Sequence, residues 1–194
     1  MNTPAHLIFG MAAFGRLDAG KVTAAAVMGS LVPDLSLYLL AGVHLVVLGT
    51  DPQVVFGELY FSDRWQTIFR IDNSFILWGM ALGLAWALRS AWAIAFCASA
   101  LLHIGLDFPL HHDDGRAHFW PLTNWVFASP VSYWDPDHFG GIVGAIETMV
   151  ALVLCVWMWR RYAALLVRGL IVVLALLQSA QGIMWIVIFA TGGS

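Results

Sequence analysis

The sequence predicts an all-α integral membrane protein: a polytopic helical bundle with about five spanning helices, a short N-terminal helix and a helix broken at Pro33. Hydrophobic residues make up 60% of the 194 residues, and the mean hydropathy is +0.80. Charged residues make up only 11%, against roughly 25% in soluble globular chains. Several apolar runs approach the ~20 residues needed to cross a bilayer. Because no repeat or linker divides the chain, we expect residues 1–194 to form a single transmembrane helical domain.

The first apolar stretch, residues 4–15, is too short to span a bilayer and is expected to be a helix packed within the bundle. Thr3 and Pro4 favour a helix start at this point, as N-cap and first helical residue. The next apolar run covers residues 22–49. Pro33 lies inside it and lacks a backbone donor, so we expect a broken or strongly tilted element there.

The remaining apolar runs complete the predicted bundle. The first two are separated only by the turn at Arg89, which predicts a tight helical hairpin. The last two contain a single charged residue, Glu147. These four runs are residues 74–88, 90–108, 141–159 and 169–190.

The distribution of basic residues predicts the orientation in the membrane. Alternation of spans places three short basic turns on one face, whereas the long polar loops, 50–72 and 109–140, hold most of the acidic residues. By the positive-inside rule the short turns are cytoplasmic, which suits the inner membrane of a bacterium. The basic residues of the short turns are Arg16, Lys21, Arg89, Arg160, Arg161 and Arg168.

The balance of charged residues argues against a nucleic-acid partner. The chain has 9 Lys and Arg against 12 Asp and Glu, so it lacks the basic surface that nucleic-acid binding needs. We expect no nucleic-acid partner. Membrane lipid is the expected partner, and the sequence does not identify a protein partner.

Ionisable side chains inside the apolar runs are candidates for function, because each costs at least ~2.5–3.5 kcal/mol to insert. At ~1.5 Å per residue from the nearest basic turn, His103, Glu147 and Asp34 lie at a height of about 20 Å. His6 lies at about 15 Å and Asp107 at about 27 Å on the same scale. Independent spans have no reason to agree in this way. We therefore predict one shared polar cavity that opens toward the long loops.

Four of these residues have the chemistry of metal ligands. His103 and Asp107 are four positions apart on one helix face, and an imidazole nitrogen with a carboxylate oxygen suits a divalent metal. His6 and Asp34 would complete a shell of two His and two Asp, which favours Zn, Mn or Fe as the divalent transition metal. A hydrogen-bonded pair between helices, without metal, is the alternative for His103 and Asp107.

Other polar residues are candidates for catalysis and substrate binding. Glu147 and His111 are the candidate acid/base residues, with a purely structural acid as the alternative for Glu147. Arginines near the cavity are expected to bind an anionic group. The substrate-binding candidates are Arg70, Arg116, Asn73 and His112.

Three short motifs carry a resemblance to a known family. They are Thr3-Pro4-Ala5-His6-Leu7-Ile8-Phe9-Gly10, Gly29-Ser30-Leu31-Val32-Pro33-Asp34 and Leu102-His103-Ile104-Gly105-Leu106-Asp107. With these motifs in this order, the sequence resembles the DUF457 (YdjM-like) family of membrane-bound metal-dependent hydrolases. Some relatives in that family are labelled cobalamin-biosynthesis proteins. The resemblance implies that the metal ligands are His6, Asp34, His103 and Asp107. The family also has a His-Ser pair, and here Asn73 stands where that His would be.

Two functions remain open from the sequence. The first is a membrane-embedded metal-dependent hydrolase that acts on an amphiphilic, lipid-like ester or phosphoester in the outer half of the bilayer. The second is a non-catalytic integral membrane protein, either a transport component or an accessory subunit of a membrane complex.

Overall fold

The structure, a computed structural model, describes residues 1–190, apart from the side chains of residues 186 and 188–190. Within that range all regular structure is helical, as the composition predicts. Helix α2 continues into a π-helical turn at Val43–Val47, α3 continues into another at Val55–Leu59, and a 3-10 turn covers Pro136–His138. The helices are α1 (Thr3–Phe14), α2 (Gly20–Gly42), α3 (Pro52–Val54), α4 (Asp63–Asp72), α5 (Phe75–Ala87), α6 (Ala91–Asp107), α7 (Gly140–Arg161) and α8 (Leu165–Ala190).

Four helical segments are long and apolar enough to cross a membrane. One of them combines α4 with α5, so the predicted span at 74–88 is lengthened at its start. Helix α1 is short, as predicted, and α6 has 17 residues, about 26 Å of helix. The predicted fifth span at 90–108 is therefore shorter than the other four. The four long segments are Gly20–Val47, Asp63–Ala87, Gly140–Arg161 and Leu165–Trp185.

Helix α2 runs through Pro33 without interruption, in place of the expected break at that residue. A proline removes one backbone donor, and the loss is local when the rest of the helix is packed on its neighbours. Here α2 packs against α1, α4 and α6. The Pro33 carbonyl accepts a hydrogen bond from Asn73 Nδ2 at 3.2 Å. The change of helix type comes later, at Val43–Val47.

The short helix α1 lies at the centre of the bundle and packs against α2, α6, α7 and α8. Its Ile8 and Met11 are fully buried, and they belong to one apolar cluster with Met158 of α7 and Leu174 of α8. Lipid tails are as apolar as these side chains, so close van der Waals contact stabilises this packing more than the exclusion of water does. A 12-residue helix can therefore be held in the interior without spanning the bilayer.

Helices α2 and α6 approach each other closely. A Cβ added to Gly29 would lie 2.1 Å from the carbonyl oxygen of Phe96. The small side chains Ala26 and Ala95 are buried in the same contact. Small residues of this kind allow helix backbones to meet in membrane proteins, and this contact fixes α6 beside α2.

The long loop after α6 is fixed over the end of the bundle where α1 begins. Ser74 is the N-cap of α5, and its hydroxyl also donates to the carbonyl of Trp120. The Phe75 amide donates to the carbonyl of His118 at 2.8 Å. Within the loop, Ser129 Oγ donates to the Pro109 carbonyl at 2.6 Å. The loop therefore has a defined position over the polar end of α1 and α6.

The contact between α2 and α6 can be tested with two glycines of the same helix. We expect Gly29→Ala to destabilise the protein by about 1–3 kcal/mol, because the new methyl group meets a backbone carbonyl that cannot move alone. Gly42→Ala is the matched control, since a Cβ at Gly42 meets nothing within 4 Å. Thermal unfolding in detergent measures both variants. Equal melting temperatures for the two would contradict the close contact.

Candidate metal centre

The start of α1 and the end of α6 bring two histidines and an aspartate together. His6, His103 and Asp107 each offer one ligand atom, and these atoms all lie within 4.8 Å of one another. All three residues are buried. Asp107 bridges the edges of the two rings: its Oδ1 is 2.9 Å from His6 Nε2, and its Oδ2 is 3.2 Å from His103 Nε2. The Met1 amino group also donates to Oδ1.

The hydrogen bonds of His103 define which of its nitrogens is available. Nδ1 lies 2.6 Å from the carbonyl oxygen of Ser30. A carbonyl only accepts, so Nδ1 carries the proton, and in the neutral ring Nε2 carries a lone pair. A His that donates Nδ1–H to a backbone carbonyl is typical of metal ligands, because this bond fixes the tautomer and the orientation of the ring.

His103 Nε2 is a buried atom without a hydrogen-bond partner among the described residues. It faces two carboxylates, Asp107 Oδ2 at 3.2 Å and Asp34 Oδ1 at 3.6 Å. A lone pair beside two anionic oxygens is repulsive unless a proton or a cation lies between them. The position therefore suits either a second proton on His103 or a bound cation.

Asp34 lies at the edge of this group. Its Oδ2 accepts a hydrogen bond from Thr3 Oγ1, which leaves Oδ1 directed at His103. Asp34 is not among the three residues whose ligand atoms lie within 4.8 Å of one another. Of the four predicted ligands, the structure thus brings three into one group and places the fourth beside it.

The donor set fits a divalent transition metal, subject to one movement. Two imidazole nitrogens and a carboxylate oxygen are the usual ligands of a zinc or iron site with open positions. The rings of His6 and His103 are stacked, with centroids 3.5 Å apart and planes 10° from parallel. Parallel rings direct their lone pairs along parallel planes, so coordination of one ion requires one of the rings to rotate.

His111 links this group to the loop. Its Nε2 is 3.5 Å from Asp107 Oδ2, and its Nδ1 is 2.8 Å from Asp114 Oδ1. Burial lowers the pKa of His111, but the charges and hydrogen bonds of Asp107 and Asp114 outweigh it, so the pKa is raised above its ordinary value. Trp134 Nε1 donates to the other oxygen of Asp114 at 3.2 Å. His111 is thus held in one orientation between two carboxylates.

A cavity of about 660 Å³ opens beside the group. Its wall is apolar along Leu37, Phe56 and Phe61 and polar where α6 ends. Five of the predicted functional residues line it, while His6 and His103 lie behind Asp107. The five are Asp34, Asn73, Asp107, His111 and Arg116.

Glu147 does not line the cavity. Its carboxylate accepts hydrogen bonds from the Asn2 amide at 3.2 and 3.3 Å, from Asn2 Nδ2 at 2.7 Å and from Gln178 Nε2 at 3.1 Å. Asn2 is the N-cap of α1, and a carboxylate is favourable at a helix N-terminus. These contacts indicate that Glu147 positions α1, and with it His6. They do not suit a residue that contacts a substrate.

Two further predicted residues lie outside the cavity. Arg70 donates to the Gln66 carbonyl at 3.2 Å and to Asn124 Oδ1 at 3.3 Å. His112 bonds through Nδ1 to the Ser129 carbonyl at 2.6 Å, and its ring stacks on His138 with centroids 3.6 Å apart. Both side chains are engaged within the loop region.

Asn73, at the position of the family's His, does line the cavity. Its amide nitrogen donates to the carbonyls of Pro33 and Phe69, at 3.2 and 3.1 Å. The side chain therefore connects α2 to the end of α4. This role is structural: it requires an amide donor and does not require a metal ligand at position 73.

The sequence does not predict that Ser30, Thr3 and Asp114 orient the candidate ligands and His111: it predicts Thr3 only as a helix N-cap, and Asp114 is not among the candidate site residues. Ser30 acts through its carbonyl, a group that every residue has, so no side-chain pattern could have found it. Asp114 carries a detectable signal, because it follows His111 by three positions in a His-His-Asp-Asp sequence. That spacing allows contact within one turn.

No family model matches the chain, and no curated protein or solved structure matches it either. The resemblance drawn from the three motifs therefore stays a prediction. The function has to be argued from the geometry of the site.

His118 gives a pH-dependent test of the loop that covers the site. It is buried, donates from Nδ1 to the Asn73 carbonyl at 3.0 Å and packs on Phe75 and Phe108. Burial lowers its pKa from 6.5 to about 4. The unfolded chain therefore binds a proton that the folded chain does not, and stability falls as the pH drops from 6.5 toward 4.

Replacing His118 by Phe should flatten this part of the stability profile, by up to about 1.4 kcal/mol for each pH unit. Thermal unfolding between pH 7 and 4.5 (about the range of this titration), with EDTA present, is the measurement. Phe75→Leu disturbs the same aromatic contact without removing a titrating group, so it should lower stability at every pH and keep the slope. An unchanged slope in His118→Phe would show that this histidine does not titrate on unfolding.

Proposed function

We propose that the protein is a membrane-embedded metal-dependent hydrolase that acts on an amphiphilic, lipid-like ester or phosphoester. The metal would be Zn, Mn or Fe, held by His6, His103 and Asp107 with Asp34 beside them. The observation that carries the proposal is the convergence of one ligand atom each from the buried residues His6, His103 and Asp107 within 4.8 Å of one another, next to an open cavity.

The number of protein ligands favours a catalytic metal site over a structural one. Three protein ligands leave positions open for water and substrate, whereas structural zinc sites are closed by four, usually with thiolates. Both cysteines of the chain, Cys97 and Cys155, are outside the group. A divalent ion in this position supplies a water of lowered pKa and polarises the bond to be cleaved.

His111 is the best placed acid/base residue. Asp114 fixes its Nδ1 at 2.8 Å, so Nε2 faces Asp107 and the cavity. In this orientation His111 can take a proton at Nε2 while Asp114 stabilises the imidazolium that forms. Glu147, the other predicted acid/base residue, would act through its hydrogen bonds to Asn2, as a positioning residue for α1.

The surroundings of the cavity support an amphiphilic substrate. Four segments of the bundle are suited to a membrane, and the cavity joins carboxylates and imidazoles to apolar side chains such as Leu37 and Phe56. A lipid could place its polar group near Asp107 and its chain along the apolar wall. We further propose that the short basic turns are cytoplasmic in a bacterial inner membrane, which puts the site in the outer half of the bilayer.

Metal binding is the first test of the proposal. The purified protein should carry about one Zn, Mn or Fe ion per chain by elemental mass spectrometry, and His103→Ala should lose it, since a three-ligand site without one ligand binds far more weakly. His44→Ala is the matched control, because His44 lies in the π-helical turn and bonds to Thr50. Asp107→Asn is a second variant if His103→Ala does not fold. Metal retained in both site variants, or absent from the folded wild type, would contradict the proposal.

The role of His111 is tested by activity. Esters and phosphoesters of different lipid classes, presented in detergent micelles, serve to find a substrate. We expect His111→Asn to lower kcat by about 10²–10⁴-fold, because a general acid/base contributes that much, with metal content unchanged. His112→Asn is the matched control, since His112 lies outside the cavity. Equal effects of the two substitutions on kcat would show that His111 is not the acid/base residue.

A further inference from the structure

We propose that Arg116 is a phosphate-binding residue, so that the cavity selects an amphiphile with an anionic phosphate group over a neutral one. This inference deepens the proposed function and rests on it, since it narrows the substrate from esters in general to phosphate-bearing lipids.

Two aromatic rings fix the guanidinium group of Arg116. Its Cζ lies 4.7 Å from the centre of the Tyr60 ring and 4.4 Å from that of Phe69. A guanidinium is planar, and contact with aromatic faces stabilises it and keeps it in one orientation. Phe69 is fully buried and Tyr60 nearly so, so the position is built into the fold at the junction of α4 and the loop.

Part of the guanidinium remains available. Nη1 donates to Tyr60 Oη and to the Asp114 carbonyl. Among the described residues, no carboxylate forms an ion pair with Arg116. A half-buried guanidinium without a carboxylate partner has donors for a ligand, and its planar fork matches two phosphate oxygens.

The position of Arg116 also distinguishes it from the other predicted arginine. Within the part of the chain that the structure describes, Arg116 is the one Lys or Arg side chain that lines the cavity, whereas Arg70 lies outside it and is bonded to Gln66 and Asn124. Only Arg116 therefore shares a cavity with the candidate metal ligands. Arg70 provides a natural control of the same residue type.

The charges of the cavity make this arginine necessary for an anionic ligand. Four aspartates line the wall: Asp34, Asp107, Asp113 and Asp114. Asp107 is compensated by histidines and by the Met1 amino group, and Asp114 by His111, but the remaining negative charge of Asp34 and Asp113 still opposes an anion. Arg116 is the fixed positive charge that offsets it on the side of the loop.

A phosphate group could belong to a lipid headgroup or to a soluble phosphate ester. The apolar wall formed by Leu37, Phe56 and Phe61 favours the lipid, because a soluble ester gains nothing from it. The experiment has to separate these two sources.

The test is lipid retention by the full chain, purified in detergent and mixed with equal amounts of phosphatidylglycerol and a diacylglycerol of the same acyl chains, which lacks the phosphate, measured by native mass spectrometry. We expect the wild type to retain phosphatidylglycerol preferentially. R116Q should lower that preference about tenfold, which corresponds to the loss of one charge-assisted contact, and R70Q should leave it unchanged. Competition with glycerol phosphate identifies the source: displacement by it at equal concentration would show that the site recognises a soluble phosphate ester and overturn the lipid assignment.

Two outcomes would overturn the inference: no preference of the wild type for phosphatidylglycerol, or equal preference in R116Q and R70Q. If R116Q does not fold, a photoreactive phosphatidylglycerol with its label in the headgroup, used on the wild type, decides. Labelling is expected in the segments that contain Tyr60 and Arg116, and labelling confined to the turn at Arg160 and Arg161 would refute it.

Metal content is measured on the same samples, so the failure of the two proposals can be told apart. Absence of metal contradicts the hydrolase, whatever lipid is retained. A metal-loaded protein that does not distinguish the two lipids contradicts only the role of Arg116.

Discussion

The burial of the Asp107 carboxylate, which bridges the Nε2 atoms of two imidazoles, is the constraint on which the rest of the structure depends. A carboxylate in an apolar bundle is costly unless each of its oxygens has a partner. Here Oδ1 contacts His6 and Oδ2 contacts His103. Since these residues belong to different helices, the requirement fixes α1 against α6 at one depth.

The other polar contacts of the bundle follow from this arrangement. Glu147 of α7 binds Asn2 at the start of α1, and Asn73 binds the Pro33 carbonyl of α2. Each contact joins two helices near the same end of the molecule, so the polar groups form one layer beneath the long loop. Small residues also bring helices together, as at Gly29, where the backbones of α2 and α6 approach closely.

Much of the fold and part of the site could be predicted from the sequence. Apolar run length is a direct consequence of bilayer thickness, and it located α2, α7 and α8. Counting residues along the helices placed Asp34 and His103 at about the same height, with His6 somewhat below and Asp107 somewhat above. The structure brings His6, His103 and Asp107 into one group and places Asp34 beside it. Counting could not separate Glu147 from that group, because height along a helix does not say which face a side chain occupies. It also could not show that α2 continues through Pro33, since packing of the whole helix decides this.

The loop after α6 was the least predictable part. Whether Arg70 or Arg116 enters the cavity depends on long-range contacts with Tyr60 and Phe69, which no local pattern encodes. The same holds for Asp114, whose partner His111 is close in sequence but whose burial depends on Trp134. These long-range contacts of Arg116 and Asp114 shape the cavity, and they can be seen only in the three-dimensional structure.

X-ray absorption spectroscopy of the purified protein tests the central claim most directly. We predict a bound Zn, Mn or Fe ion that is coordinated by two imidazole nitrogens and by carboxylate oxygen at about 2.0–2.2 Å. Substitution of His6 should remove one imidazole from the ion. A spectrum without imidazole scattering, or one that His6 and His103 substitutions leave unchanged, would contradict the account and leave a helical membrane bundle held together by hydrogen bonds.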